Sequence, residues 1–112
     1  MASLTTRALR VNGTVRVPGD KSISHRALIL SSLTAESSRI ENILDAADVR
    51  STADALRALG ASIPAFSAKM YVQGREMHSP REALDCGNSG TTARLLAGVV
   101  AGAGLRATFV GD

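Results

Sequence analysis

An α/β fold is predicted by three features of this sequence. Its apolar patterning switches repeatedly between strand-like and helix-like periods. The order of elements restarts partway along the chain, each time near a glycine-rich turn that leads into a helix. Apolar residues make up 45% of the 112 positions and the formal net charge is only +3, so the chain can bury a modest core and is not disordered.

The elements follow in order. Asn12-Gly13 between the alternating runs of residues 8–17 predicts a hairpin, and Pro18-Gly19 ends its second strand. A helix is predicted from Ser24 to about Leu33, with Ser22 or Ser24 available as its cap. Ser38–Ile43 reads as a strand. Ala47–Leu59 reads as a second helix, with Asp48 in its first turn and Gly60 as its stop. Two strands, Ser62–Phe66 and Lys69–Gln73, precede a polar loop over Gly74–Arg81. A short strand at Leu84–Cys86, a helix over Gly90–Gly102 and a last strand at Leu105–Val110 complete the chain.

The restart carries an internal match. Gly19-Asp20-Lys21-Ser22-Ile23-Ser24-His25-Arg26 and Gly87-Asn88-Ser89-Gly90-Thr91-Thr92-Ala93-Arg94 share the spacing from Gly to Arg. Aligned this way, Asp20 faces Asn88 and Ser24 faces Thr92, which reads as two copies of one supersecondary unit. A glycine-rich turn feeding a helix presents free N–H groups and the positive end of the helix dipole, which suits anions. Lys21, Ser22 and Arg26 add an ammonium, a hydroxyl and a guanidinium at the first turn. At the second, Asn88 and Thr91 add neutral donors, Gly90 allows close backbone approach and Arg94 projects from the next turn. A ligand with several phosphate or carboxylate groups fits this composition. Surface charge and simple helix capping are the plainer alternatives for each turn.

Other classes fare worse. The Gly-Asp-Lys-Ser run is not a nucleotide-binding P-loop, because Asp20 separates Gly19 from Lys21 and the upstream glycine is missing. The thirteen Lys and Arg are spread along the chain and only Phe66, Tyr71 and Phe109 are aromatic, so nucleic-acid binding has little to build on. Apolar runs fall far short of the ~20 residues of a membrane span, and no signal peptide is visible at Met1-Ala2-Ser3-Leu4. The single Cys86 and two scattered histidines make no metal site, and a cytoplasmic address is expected. Asp48 reads as a helix N-terminal stabiliser, His25 and His78 as structural or exposed, and Cys86 as a small buried apolar group.

Three ordered runs, Pro18 to Leu28, Leu44 to Arg50 and Gly87 to Leu95, closely resemble the 5-enolpyruvylshikimate-3-phosphate synthase family, and the likeness extends from about Leu9 to Asp112. The related UDP-N-acetylglucosamine enolpyruvyl transferases differ at the first turn. The resemblance implies transfer of the enolpyruvyl group of phosphoenolpyruvate to the 5-hydroxyl of shikimate-3-phosphate, with release of phosphate and without metal or organic cofactor. It implies catalytic roles for Lys21 and Asp48. Shikimate-3-phosphate falls to Lys21, Ser22 and Arg26, and phosphoenolpyruvate to Lys21, Asn88, Gly90, Thr91 and Arg94. The herbicide glyphosate would share the second pocket. Asp20 and His25 stand where many members carry Ser and Asn, and Asp20 is expected to point away from the anions and cap the helix.

Family members are much longer, with two globular domains built from βαβαββ units. By resemblance, residues 1–17 are lead-in strands belonging to the other domain. Residues 18–112 are a partial substrate-binding domain, with a first unit over about 18–74 and an incomplete second over about 83–112. The chain is therefore expected to be inactive alone and to need a complementary C-terminal chain, with no nucleic-acid or membrane partner.

Overall fold

The computed structural model of the chain describes residues 12–14 and 17–112. The hairpin expected over residues 8–17 and most of the lead-in segment lie outside the described residues. The order is α1 (Lys21–Leu33), β1 (Ser37–Glu41), α2 (Ala47–Ala58), β2 (Lys69–Gln73), β3 (Leu84–Asp85), α3 (Gly90–Gly102) and β4 (Phe109–Val110). The α/β class holds.

β1 and β2 pair antiparallel, with Arg39 opposite Tyr71 and Ile40 opposite Met70. Met70 and Val72 are buried on one face of β2 while Lys69 and Tyr71 face out, as a period of two requires. β3 and β4 pair in parallel, Leu84 with Phe109, and α3 is the crossover between them. The core gathers Leu28 from α1, Val49, Ala53 and Leu56 from α2, Leu59, Met70, Val72, Leu84 and Leu96. α2 lies between α1 and α3 and touches both. This arrangement brings the N-terminal turns of α1 and α3 to that of α2.

α1 begins at Lys21, three residues before the expected start, because Asp20 takes the cap. Its carboxylate accepts the Ile23 amide at 2.9 Å. Neither Ser22 nor Ser24 caps this helix; Ser24 is buried and its hydroxyl accepts the Leu44 amide at 3.0 Å instead. Asp20→Ala is expected to cost about 1 kcal/mol of stability, read as a lower urea midpoint at unchanged slope.

The segment Ser62–Phe66 is not a strand. Only Ser62 bonds across to Gln73. Beyond it the carbonyls of Ile63 and Pro64 are taken by the Arg57 guanidinium at 2.7 and 2.9 Å, which bends the chain back onto α2. The predicted last strand shrinks to Phe109–Val110, and Leu84–Cys86 to its first two residues. Lys69–Gln73 and Gly90–Gly102 coincide with their predicted bounds. α2 ends at Ala58, and Gly60 follows with φ of +117°, a conformation that side chains rarely adopt.

Candidate functional site

The site is built from the first turns of α1 and α3 on either side of the first turn of α2. Lys21 opens α1 and reaches across to Asp48, with Nζ 2.6 Å from Oδ2. Lys21 is 52% exposed and Asp48 30%, so the pair is open to solvent. Donation by the Lys21 ammonium holds the Asp48 carboxyl below the usual carboxylate range, against the opposing effect of partial burial. The same residue also faces the second turn: its backbone carbonyl accepts the Thr92 hydroxyl at 3.3 Å. Asp48 thus stands between the two turns, with its side chain on one and its main chain on the other. Its expected place in the first turn of a helix is correct, and the partnership with Lys21 adds a contact that local sequence does not reveal.

The two copies of the repeat place equivalent residues alike. Arg26 is exposed and folds back along α1, where Nη1 donates to the Ser22 carbonyl at 3.1 Å. Arg94 is exposed and folds back along α3, where Nη1 lies 3.3 Å from the point a Cβ on Gly90 would occupy. Ser24 and Thr92 are both buried, and each bonds backbone of the segment that leads into or opens α2. The caps differ by one register step. Asp20 caps α1, whereas Ser89, which aligns with Lys21, caps α3 by accepting the Thr92 amide at 3.1 Å.

Ser22, Asn88 and Gly90 are exposed and Thr91 is half-buried. Asn88, Gly90, Ala93 and Asp112 help to line an open recess of about 240 Å³ over the second turn. Two helix N-termini, an ammonium and two guanidiniums within one surface can receive anionic oxygens in more than one place. Cys86 forms the buried floor of the recess. Burial and Asp85 push its thiol up, so it serves as an apolar filler and not as a nucleophile. Among the described residues, no cluster of His, Cys, Asp or Glu could hold a metal ion, and no helix is long and apolar enough to cross a membrane.

Sequence reasoning missed a buried chain of hydrogen bonds beneath the site. His25, fully buried, meets Thr52 through Nδ1 at 2.8 Å; Thr52 meets Thr92, and Thr92 meets Ser89. The available signal was Thr52 itself, a polar residue three after Val49 and four before Leu56 on the apolar face of α2. Burial holds His25 below its usual pKa of 6.5; Lys21 and Arg26 act the same way and Asp48 opposes them. The unfolded chain therefore binds a proton first as pH falls, and stability rises with pH through that interval. Thermal midpoints should be level above about pH 7 and decline as pH drops below 6.5, a decline that His25→Asn removes. Asp48 has the depressed carboxyl, so its contribution is present above 3.8 and is lost in stronger acid.

Residues 5–112 match the family model for EPSP synthase (3-phosphoshikimate 1-carboxyvinyltransferase). The 3-phosphoshikimate 1-carboxyvinyltransferase of Gloeobacter violaceus is 50% identical over 113 residues, covering 96% of this chain and 26% of its own length. That of Zymomonas mobilis is 47% identical, covering 97% of this chain and 25% of its own. An EPSP synthase structure from Acinetobacter baumannii superposes with a TM-score of 0.77 at 31% identity, over 89% of this chain and 24% of that one. The chain spans about a quarter of the length of the curated relatives it matches. With its repeated turns, its Lys21–Asp48 pair and a family match that runs to the last residue, this chain belongs to the EPSP synthase family.

Proposed function

We propose that this chain binds shikimate-3-phosphate and phosphoenolpyruvate at its two turns, as the N-terminal part of an enolpyruvyl transferase. The observation that carries this reading is Asp48, which joins Lys21 of the first turn to Thr92 of the second. Lys21 then lies between two anions. Ser22 and Arg26 take the phosphate and carboxylate of shikimate-3-phosphate, while Asn88, Gly90, Thr91 and Arg94 take those of phosphoenolpyruvate. In the reaction, the 5-hydroxyl loses its proton as its oxygen bonds to C2 of phosphoenolpyruvate and C3 gains a proton. Phosphate then leaves C2, and loss of a proton from C3 restores the double bond. Charge builds and moves between fixed groups, which is mostly electrostatic and orientational work. Lys21 supplies the mobile positive charge, and Asp48 holds it in place.

In this reading residues 18–112 are part of the substrate-binding domain, and residues 1–17 lead toward the other. Turnover needs the remaining three quarters of the family's length, on the same polypeptide or on a complementary one. Glyphosate would compete at the second turn, where Gly90 leaves room beside Arg94.

Phosphate release tests the proposal. With the complementary length supplied, release should require shikimate-3-phosphate and phosphoenolpyruvate together. The chain alone should bind shikimate-3-phosphate weakly and release nothing. Release from either substrate by itself, or no release from the completed enzyme, would refute the reading.

A further inference from the structure

We propose that His25 is a positioning residue, which holds the second turn in place from α1 through a buried relay of three hydroxyls. The relay runs from His25 Nδ1 to Thr52 Oγ1 at 2.8 Å, on to Thr92 Oγ1 at 2.8 Å, and to Ser89 Oγ at 2.7 Å. His25, Thr52 and Thr92 are fully buried and Ser89 nearly so.

Counting protons from the Asp48 carbonyl assigns a direction to every bond. The Asp48 carbonyl can only accept, so the Thr92 hydroxyl donates to it. The single proton of Thr92 is then used, so Thr52 and Ser89 must both donate to its oxygen. Thr52 has likewise spent its proton, so His25 must donate to Thr52 from Nδ1. The neutral imidazole therefore carries its proton on Nδ1, and its buried Nε2, which has no partner, is bare.

This arrangement explains why the histidine matters to a turn 65 positions away. A threonine inside a helix ordinarily donates to the carbonyl four residues earlier, which for Thr52 is that of Asp48. Here that carbonyl receives Thr92 from the neighbouring helix instead. Donation from His25 to the Thr52 oxygen keeps the Thr52 proton turned toward Thr92 and leaves the Asp48 carbonyl free for α3. Without that donor, Thr52 can revert to its local bond and displace Thr92. The Ser89 cap, and with it the backbone of Gly90 and Thr91, then loses its anchor. Among the described residues, the charged groups that act on His25 are Lys21 and Arg26 from its own helix and Asp48 from α2, while α3 reaches it through the neutral Thr92 hydroxyl by way of Thr52.

That the second turn serves phosphoenolpyruvate rests on the reading above; the relay does not, and its test uses the full chain without ligand. Imidazole ¹⁵N spectra at neutral pH should show His25 protonated on Nδ1, and protonation on Nε2 would overturn the proposal. Amide hydrogen exchange then reads the anchor. In His25→Leu, protection of the Thr92 amide should fall about two- to tenfold, with smaller changes at Ala53 and Leu56, and His25→Asn should restore it. Thr52→Val, which keeps shape and removes the hydroxyl, should reproduce the Thr92 loss with His25 intact. Equal loss at all three amides, or an unchanged Thr92, would mean that His25 only fills space.

Discussion

Lys21→Ala should reduce phosphate release by the completed enzyme by at least about a hundredfold, the usual scale for removing a group aimed at developing charge. The same substitution should leave the fold almost untouched. Lys21 is half-exposed, and its ion pair with Asp48 is open to water and salt, where such pairs contribute little. The substitution therefore separates site from scaffold. Its second signature is electrostatic: donation from Lys21 is the main reason the Asp48 carboxyl lies low, so that carboxyl should move back toward 3.8. Lys21→Arg should also fail to restore turnover, since a planar fork cannot replace a compact ammonium at the same point. The measurement is phosphate release alongside a thermal midpoint for each variant. Loss of release that simply tracks loss of folded protein would contradict the assignment.

Legibility in the sequence followed the distance over which each feature is determined. The Lys21, Ser22 and Arg26 turn and the Asn88, Gly90, Thr91 and Arg94 turn are local, and their helices lie where the glycine-rich motifs imply. α3 and β2 were legible to the residue, because Gly90 and Gly102 bound one apolar stretch and Met70 and Val72 alternate cleanly. The start of α1 was not, because three candidate caps lie within five positions and tertiary packing claims one of them. Ser24 is drawn to Leu44, and this leaves the cap to Asp20. Ser62–Phe66 has strand composition, but Arg57, reaching over from α2, removes the carbonyls a strand would need. The partnership of Lys21 with Asp48 and the relay from His25 to Ser89 join residues far apart in the chain, and only helix packing sets them. Local chemistry thus marked the candidate anion-receiving groups, while the contacts that position them became visible only in the fold.

Gly74→Ala should abolish the folded state. A Cβ at this position would stand 1.5 Å from the Thr34 carbonyl oxygen, 2.7 Å from its carbon and 3.0 Å from the Ser31 oxygen. All three obstacles are backbone, so no side-chain rotation relieves the overlap. Gly74 is buried where the chain leaving β2 crosses the end of α1, and the crossing is tied on both sides. Gln73 donates through Nε2 to the Ala35 carbonyl at 2.8 Å, and its main chain exchanges two hydrogen bonds with Ser62. Moving either strand end or helix end far enough would break those bonds and open the interface that buries Leu28, Met70 and Val72. Domains of this size have only about 5–15 kcal/mol to lose, and such a displacement exceeds what a relaxed core substitution costs. Gly98→Ala is the control. It is exposed within α3, a Cβ there meets nothing within 4 Å, and replacing a helical glycine should stabilise the chain by about 0.5–1 kcal/mol. Far-ultraviolet circular dichroism and urea unfolding of the two variants check both signs. A folded Gly74→Ala chain with a near-native midpoint would show that the crossing of β2 over α1 can open enough to relieve the overlap with the Thr34 carbonyl.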